Sequence, residues 1–191
     1  MFYMVRHAES RYIQGAEMTR ELSEQGKEDA LQVSRILRNE AIEFFYSSPY
    51  RRAVQTIEPT AREAEKDISI IWDLRERTLA GDGFQMPEGQ FFNCKRQLYD
   101  DFNFALPGGE SSFEAQRRGV EAILGLLERD LGKRIAIGTH GDIMTLIMNY
   151  FDPKYDYEFW RSTMMPDVYK LVFEDGNLTE VTRCWTVKEA G

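Results

Sequence analysis

The feature that most constrains this chain is an alternation of two periodicities. Short apolar runs of strand length, Phe2–Val5, Ile42–Tyr46, Ile68–Trp72 and Arg134–Gly138, are separated by longer stretches of helical pattern. Leu22–Glu40 places Ala30, Val33, Ile36 and Leu37 on one face, with Ser23 as a plausible N-cap. Pro49 stands where proline favours opening a helix, which is expected to run to about Glu65. Ser112–Asp130 carries Phe113, Val120, Ile123, Leu124 and Leu127 on its apolar side, and Asp142–Phe151 follows the fourth run. Val168–Phe173 and Leu178–Arg183 flank Asp175-Gly176-Asn177 and read as a hairpin. Strands alternating with helices imply an α/β fold, a three-layer α/β/α sandwich with a mostly parallel sheet.

At 191 residues and 42% hydrophobic content, the chain is expected to form a single domain, 1–191, with an inserted segment around 78–109. That segment holds Gly81, Gly83, Pro87, Gly89, Pro107, Gly108 and Gly109 around an aromatic-rich stretch, and reads as loop, helix and loop. Its aromatic residues, Phe84, Phe91, Phe92, Tyr99, Phe102 and Phe104, are expected to form the core of the segment in preference to lining a substrate cap. Lys95 and Arg96 are expected on an exposed face. The net charge of −8 argues against nucleic acid or an anionic membrane as main partner. It leaves room for a small anionic substrate, because clustered arginines outweigh distant carboxylates. Cys94 and Cys184 are far apart and expected to be free thiols in a reducing compartment. With no secretory pattern and no run of roughly 20 apolar residues, a cytoplasmic location is the default expectation.

Ligands of open α/β sheets bind beyond the carboxyl ends of the strands. Each apolar run here ends in polar residues: Arg6-His7, then Ser47 to Arg52, then Arg75 to Arg77, then Thr139-His140. Strands of one sheet end along a shared edge, so these groups converge. Arginine offers a planar fork of donors suited to phosphate oxygens, and the helix after Pro49 aims free amides at the same place. Such a set binds a dianion without a metal, and a neutral imidazole within it can attack phosphorus. Two dispersed histidines and two dispersed cysteines offer no metal-ligand cluster, so neither metal nor cofactor is expected.

The segments Arg6-His7-Ala8-Glu9, Ser47 to Thr56, Leu74-Arg75-Glu76, Gly109-Glu110-Ser111 and Gly138-Thr139-His140-Gly141 resemble the histidine phosphatase superfamily, which has the phosphoglycerate mutase-like fold. The motifs occur in the family's order. The resemblance implies that His7 becomes phosphohistidine, that Arg6, Arg52 and His140 hold the phosphoryl group, and that Glu76 donates a proton to the leaving oxygen. Ser10 and Glu110 lie in matching segments and are placed with the phosphate pocket. Three departures stand out: Ala8 where the family commonly has glycine, Ile13 near the position of an asparagine, and Arg77-Thr78-Leu79-Ala80 where the mutases have Arg-His-Tyr-Gly. The last two remove polar groups that would hold a phosphoglycerate.

The reading implied is a metal-independent phosphatase acting on a small phosphomonoester. A mutase that returns the phosphoryl group to substrate and a non-catalytic phospho-ligand module are the alternatives. As a donor to the phosphoryl group, His140 is expected to work best charged. Substrate identity and oligomeric state are not legible in these residues.

Overall fold

Strand β1 (Phe2–Arg6) is buried along its first four residues, and its period of two divides the core. Phe2 and Met4 face one hydrophobic cluster, Tyr3 and Val5 the other. The computed structural model describes residues 1–13 and 15–186. After β1 come α1 (Glu24–Leu37), β2 (Phe44–Ser47), α2 (Arg51–Glu63), β3 (Ile68–Ile70), a 3-10 turn (Trp72–Leu74) and α3 (Phe91–Asp100). Then follow α4 (Ser112–Arg129), β4 (Ile135–Thr139), α5 (Gly141–Phe151), α6 (Tyr157–Ser162), β5 (Asp167–Glu174) and β6 (Asn177–Arg183).

The sheet runs β3-β2-β4-β1-β5-β6. The first four strands in that order are parallel, and the β5–β6 hairpin adds two antiparallel strands beside β1. Val33 and Leu37 of α1 and Ile57 and Ala61 of α2 cover one face. Ala115, Ile123 and Leu126 of α4 with Ile143 and Ile147 of α5 cover the other. This is the three-layer α/β/α sandwich expected from the alternation. Among the described residues, no helix is long and apolar enough to cross a membrane. Both cysteines are free and partly buried.

Several local expectations shift. The second helix opens at Arg51 with Tyr50 as N-cap, not at Pro49, because Tyr50 keeps extended backbone angles of φ −73° and ψ 128°. Ser23 caps α1 as expected, accepting from the Gly26 amide. Phe113 is 51% exposed and stands off the apolar face of α4. The short helix α6 carries no pattern long enough to betray it in the sequence.

The loop of residues 8–23 is folded back on itself. Arg11 N–H donates to the Glu21 carbonyl (3.2 Å), Ser23 N–H to the Glu9 carbonyl (3.0 Å), and Leu22 N–H to Gln55 Oε1 on α2 (2.9 Å). Gly26 is what lets α1 lie against this loop: a Cβ there would come within 2.1 Å of the Glu9 carbonyl oxygen. Exchanging glycine for alanine inside a helix ordinarily stabilises by roughly 0.5–1 kcal/mol. At Gly26 the backbone clash is expected to win, and Gly26→Ala should lose about 1–3 kcal/mol in urea unfolding. Gly125→Ala, in open space on α4, should gain about 0.5–1 kcal/mol. Equal gains at both positions would show that the loop gives way freely.

Candidate active site

The hydrogen-bond register of the central strands assembles the site. Arg6 pairs with Thr139, and Ser47 with Gly138. The ladder continues one residue past the strand ends: His7 N–H donates to the Thr139 carbonyl (3.0 Å) and Ser48 N–H to the Gly138 carbonyl (2.9 Å). His7, Ser48 and His140 therefore share one edge, and the two imidazoles meet edge to face with centroids 5.2 Å apart.

His7 is buried, with Nδ1 2.7 Å from the Ala8 carbonyl oxygen. A carbonyl only accepts, so Nδ1 carries the proton and Nε2 keeps a lone pair. Arg52 Nε–H donates to that Nε2 at 3.1 Å. Burial first, and the Arg52 guanidinium second, push the imidazole well below its ordinary 6.5, so it stands neutral. Ala8 is accommodated here: its φ is not positive, its methyl is buried in a cluster with Leu22 and Ala30, and its N–H donates to Thr56 Oγ1 (3.0 Å).

Two guanidiniums flank the imidazoles. Arg52 is 1% exposed, donates from Nη1 to the Glu17 carbonyl (2.5 Å) and lies 4.8 Å over the Tyr50 ring. Burial, then the neighbouring Arg20, lowers it to about 10, which leaves it charged at neutral pH. Arg6 Nη1 donates to the carbonyl (3.0 Å) and hydroxyl (2.5 Å) of Thr163, and its Nε has no partner among the described residues. Gly141 makes room for this guanidinium, since a Cβ there would sit 3.0 Å from Arg6 Cζ.

His140 departs from expectation. It is fully buried, and burial first, then His7 and Arg52, hold it well below 6.5. It stands neutral, whereas a charged ring was expected to serve the phosphoryl group best. Ser48 Oγ accepts the Tyr50 amide (3.2 Å) and lies 2.7 Å from His140 Nε2. With the hydroxyl proton given to Nε2, the ring proton sits on Nδ1, which has no partner among the described residues. A neutral His140 thus still offers one buried N–H.

Glu76 docks on the start of α5. Its Oε2 accepts the Asp142 amide (3.2 Å) and its Oε1 the amides of Ile143 (3.0 Å) and Arg77 (2.9 Å). It thereby takes up orphan N–H groups of the helix that starts immediately after His140. Its charge is felt at both Arg6 and Arg52. Among the described residues, neither Ser10 nor Glu110 hydrogen-bonds to Arg6, His7, Arg52 or His140. The Ser10 backbone bridges to Leu22, and its hydroxyl makes no hydrogen bond among the described residues. Both Glu110 oxygens are held at 2.8 Å by Arg118, and Oε2 also accepts the Thr78 amide (2.9 Å). Burial works against ionisation of Glu110, but Arg118 and the Thr78 amide hold its carboxyl below the usual range. Glu110 braces the loop carrying Glu76.

Other residues near the site escaped the sequence. Lys95, expected to be exposed, is buried and bonds to Asp142, which also meets Arg77 Nη2 (3.2 Å) and the Tyr99 hydroxyl (3.0 Å). Lys95 shares a helical face with buried Leu98 and Tyr99, and that i, i+3, i+4 spacing was the available signal. Arg96 is exposed as expected and pairs with Glu158. Phe91 and Phe92 pack on Trp160 and remain 41% and 52% exposed, so the aromatic stretch is only partly core.

Both histidines have native values below their unfolded value of 6.5. The unfolded chain then binds more protons, so their contribution is complete above 6.5 and is lost progressively as pH falls from there toward the lower native values. The urea midpoint is expected to drop between about pH 7.5 and 5.5. In His140→Asn the drop should be shallower by up to about 1.4 kcal/mol per pH unit. An unchanged slope would mean that His140 is protonated in the fold.

The chain is similar to known proteins along most of its length. Residues 2–185 match the model of the histidine phosphatase superfamily, branch 1. Over 154 residues the chain is 30% identical to phosphoglycerate mutase-like protein 4 of Arabidopsis thaliana, a match covering 74% of this chain and 66% of that protein, just under two thirds of its length. Among solved structures, mycobacterial glucosyl-3-phosphoglycerate phosphatase superposes with a TM-score of 0.69 at 19% identity, covering 88% of this chain and 87% of its own. A phosphoserine phosphatase mutant of Entamoeba histolytica gives 0.72 at 19% identity, covering 94% and 95%. YhfR of Bacillus stearothermophilus gives 0.71 at 22%, covering 93% of each chain. With the family model spanning nearly the whole chain, and the two histidines meeting at the strand edge, the protein belongs to the histidine phosphatase superfamily.

Proposed function

We propose that the protein is a metal-independent phosphatase that hydrolyses a small phosphomonoester through a phosphohistidine at His7. The observation that carries this reading is the unprotonated Nε2 of His7, held among Arg52, Arg6 and His140. The names of two structural neighbours, which act on glucosyl-3-phosphoglycerate and phosphoserine, point to the same substrate class.

In this reading the phosphoryl oxygens take over the Arg52 Nε–H bond, which frees the Nε2 lone pair for in-line attack on phosphorus. The phosphorus–oxygen ester bond breaks, and its electron pair leaves with the alcohol oxygen. Glu76 gives that oxygen a proton. The resulting carboxylate then takes a proton from water as the water attacks the phosphohistidine. Inorganic phosphate leaves and His7 returns to its neutral state. Arg6, Arg52 and the Nδ1–H of His140 stabilise the equatorial oxygens throughout.

Rapid quench with a 32P-labelled phosphomonoester should trap acid-labile label on the wild type and none on His7→Ala. Full turnover by His7→Ala would sink the reading. Phosphoryl transfer back to substrate, with no inorganic phosphate released, would assign the site to a mutase. A general acid matters in proportion to how poor the leaving group is. Glu76→Gln is therefore expected to lower kcat about 10²–10³-fold on an alkyl phosphate and far less on p-nitrophenyl phosphate. Equal losses on both would show that Glu76 serves only to hold α5.

A further inference from the structure

We propose that Arg20 is an additional phosphate-binding residue of this site, and that the Glu17 carboxylate occupies the anion position between Arg20 and Arg52 until a phosphoryl group displaces it. This rests on the phosphoryl-binding reading above. Glu17 Oε1 lies 3.3 Å from Arg20 Nη1, and Oε2 lies 3.4 Å from Arg52 Nη2. One carboxylate thus bridges two guanidiniums, and the second of these touches the nucleophilic nitrogen of His7 at 3.1 Å. A phosphoryl group offers three oxygens and a second charge to the same pair of forks.

The three partners are unequal in burial. The side chain of Arg52 is 2% exposed and that of Arg20 15%, whereas Glu17 is 50% exposed. The arginines are set in the wall and the carboxylate is the movable member. Its contacts lie at the long end of the hydrogen-bonding range, so they are weak and easily exchanged. Arg20 Nε is buried with no partner among the described residues, a donor that Glu17 leaves unused. The backbone holds Arg20 in place: its N–H donates to the Ala16 carbonyl (2.8 Å), and the Met18 carbonyl accepts from Arg51 N–H of α2 (2.9 Å). The Tyr12 ring lies 5.8 Å from its guanidinium. Two like charges kept this close need an anion between them, and Arg20 is the largest charged influence on Arg52 after burial.

Titration of the full chain with inorganic phosphate, by calorimetry or 31P NMR, tests the exchange. Arg20→Met is expected to weaken phosphate binding about tenfold, the loss of one charge-assisted hydrogen bond. Glu17→Gln, which removes the resident charge, is expected to tighten it. A brace that merely stiffened the loop would make both variants bind more weakly, so that pattern overturns the proposal. So does an Arg20→Met protein with the wild-type Kd. Should Arg20→Met fail to fold by circular dichroism, Arg20→Lys takes its place. It keeps the charge but loses the fork and is expected to bind more weakly than wild type, and wild-type affinity again overturns the proposal. A wild-type protein that binds no phosphate overturns the phosphoryl-binding reading itself, whereas wild-type binding left unchanged in both variants removes only the role of Arg20.

Discussion

The parallel pairing of β1 and β2 on either side of β4 is the constraint from which the site follows. Because the ladder runs on through the amides of His7 and Ser48, the polar residues after each strand are fixed relative to one another before any side chain is chosen. The same register sets where α5 begins, immediately after His140, and so where Glu76 finds free amides. A shift of one residue in this pairing would turn Arg6 and Thr139 to opposite faces. Sheet pairing here does the work of orientation that rotamers alone would do loosely.

Charge at this edge is balanced by burial as much as by pairing. A chain with net charge −8 concentrates Arg6, Arg52 and Arg20 around two imidazoles. The imidazoles respond by remaining neutral, which is what a nucleophile requires. The carboxylates that answer the arginines come from separate segments: Glu17 on the loop of residues 8–23, Glu76 on the loop after the 3-10 turn, and Asp167 at the start of β5. Asp167 is buried and held by Arg183 at 2.7 Å. Each of them belongs to a different element, so the local field is a property of the assembled fold.

The layers, the strand edge and the placement of His7, Arg6, Arg52 and His140 beside one another were legible because they rest on local pattern. Apolar runs fix strands, and a residue that follows a strand in sequence follows it in space. What failed depends on contacts between distant segments. Lys95 meets Asp142 across 47 residues, and only the fold reveals that its helix face is buried. Glu110 sits in a motif, yet both its oxygens are held by Arg118 beside the loop that carries Glu76. The neutrality of His140 comes from its burial, which no local pattern in the sequence displays. Arg20 and Glu17 lie outside the motifs, in the loop that follows Ser10. Their importance comes from the fold-back that carries the loop to Arg52.

The anchoring of α3 has a consequence for how substrate range can change in such a protein. Lys95 and Tyr99 reach from the inserted segment to a buried aspartate two residues beyond His140. Removing one partner of a buried ion pair costs about 3–5 kcal/mol, so the segment is not an interchangeable module. A graft that replaced residues 78–109 wholesale would leave Asp142 short of a cation on the first turn of the helix that His140 caps. Variation compatible with the fold is therefore channelled into the loops on either side of α3, or else must alter residues 95 and 142 together.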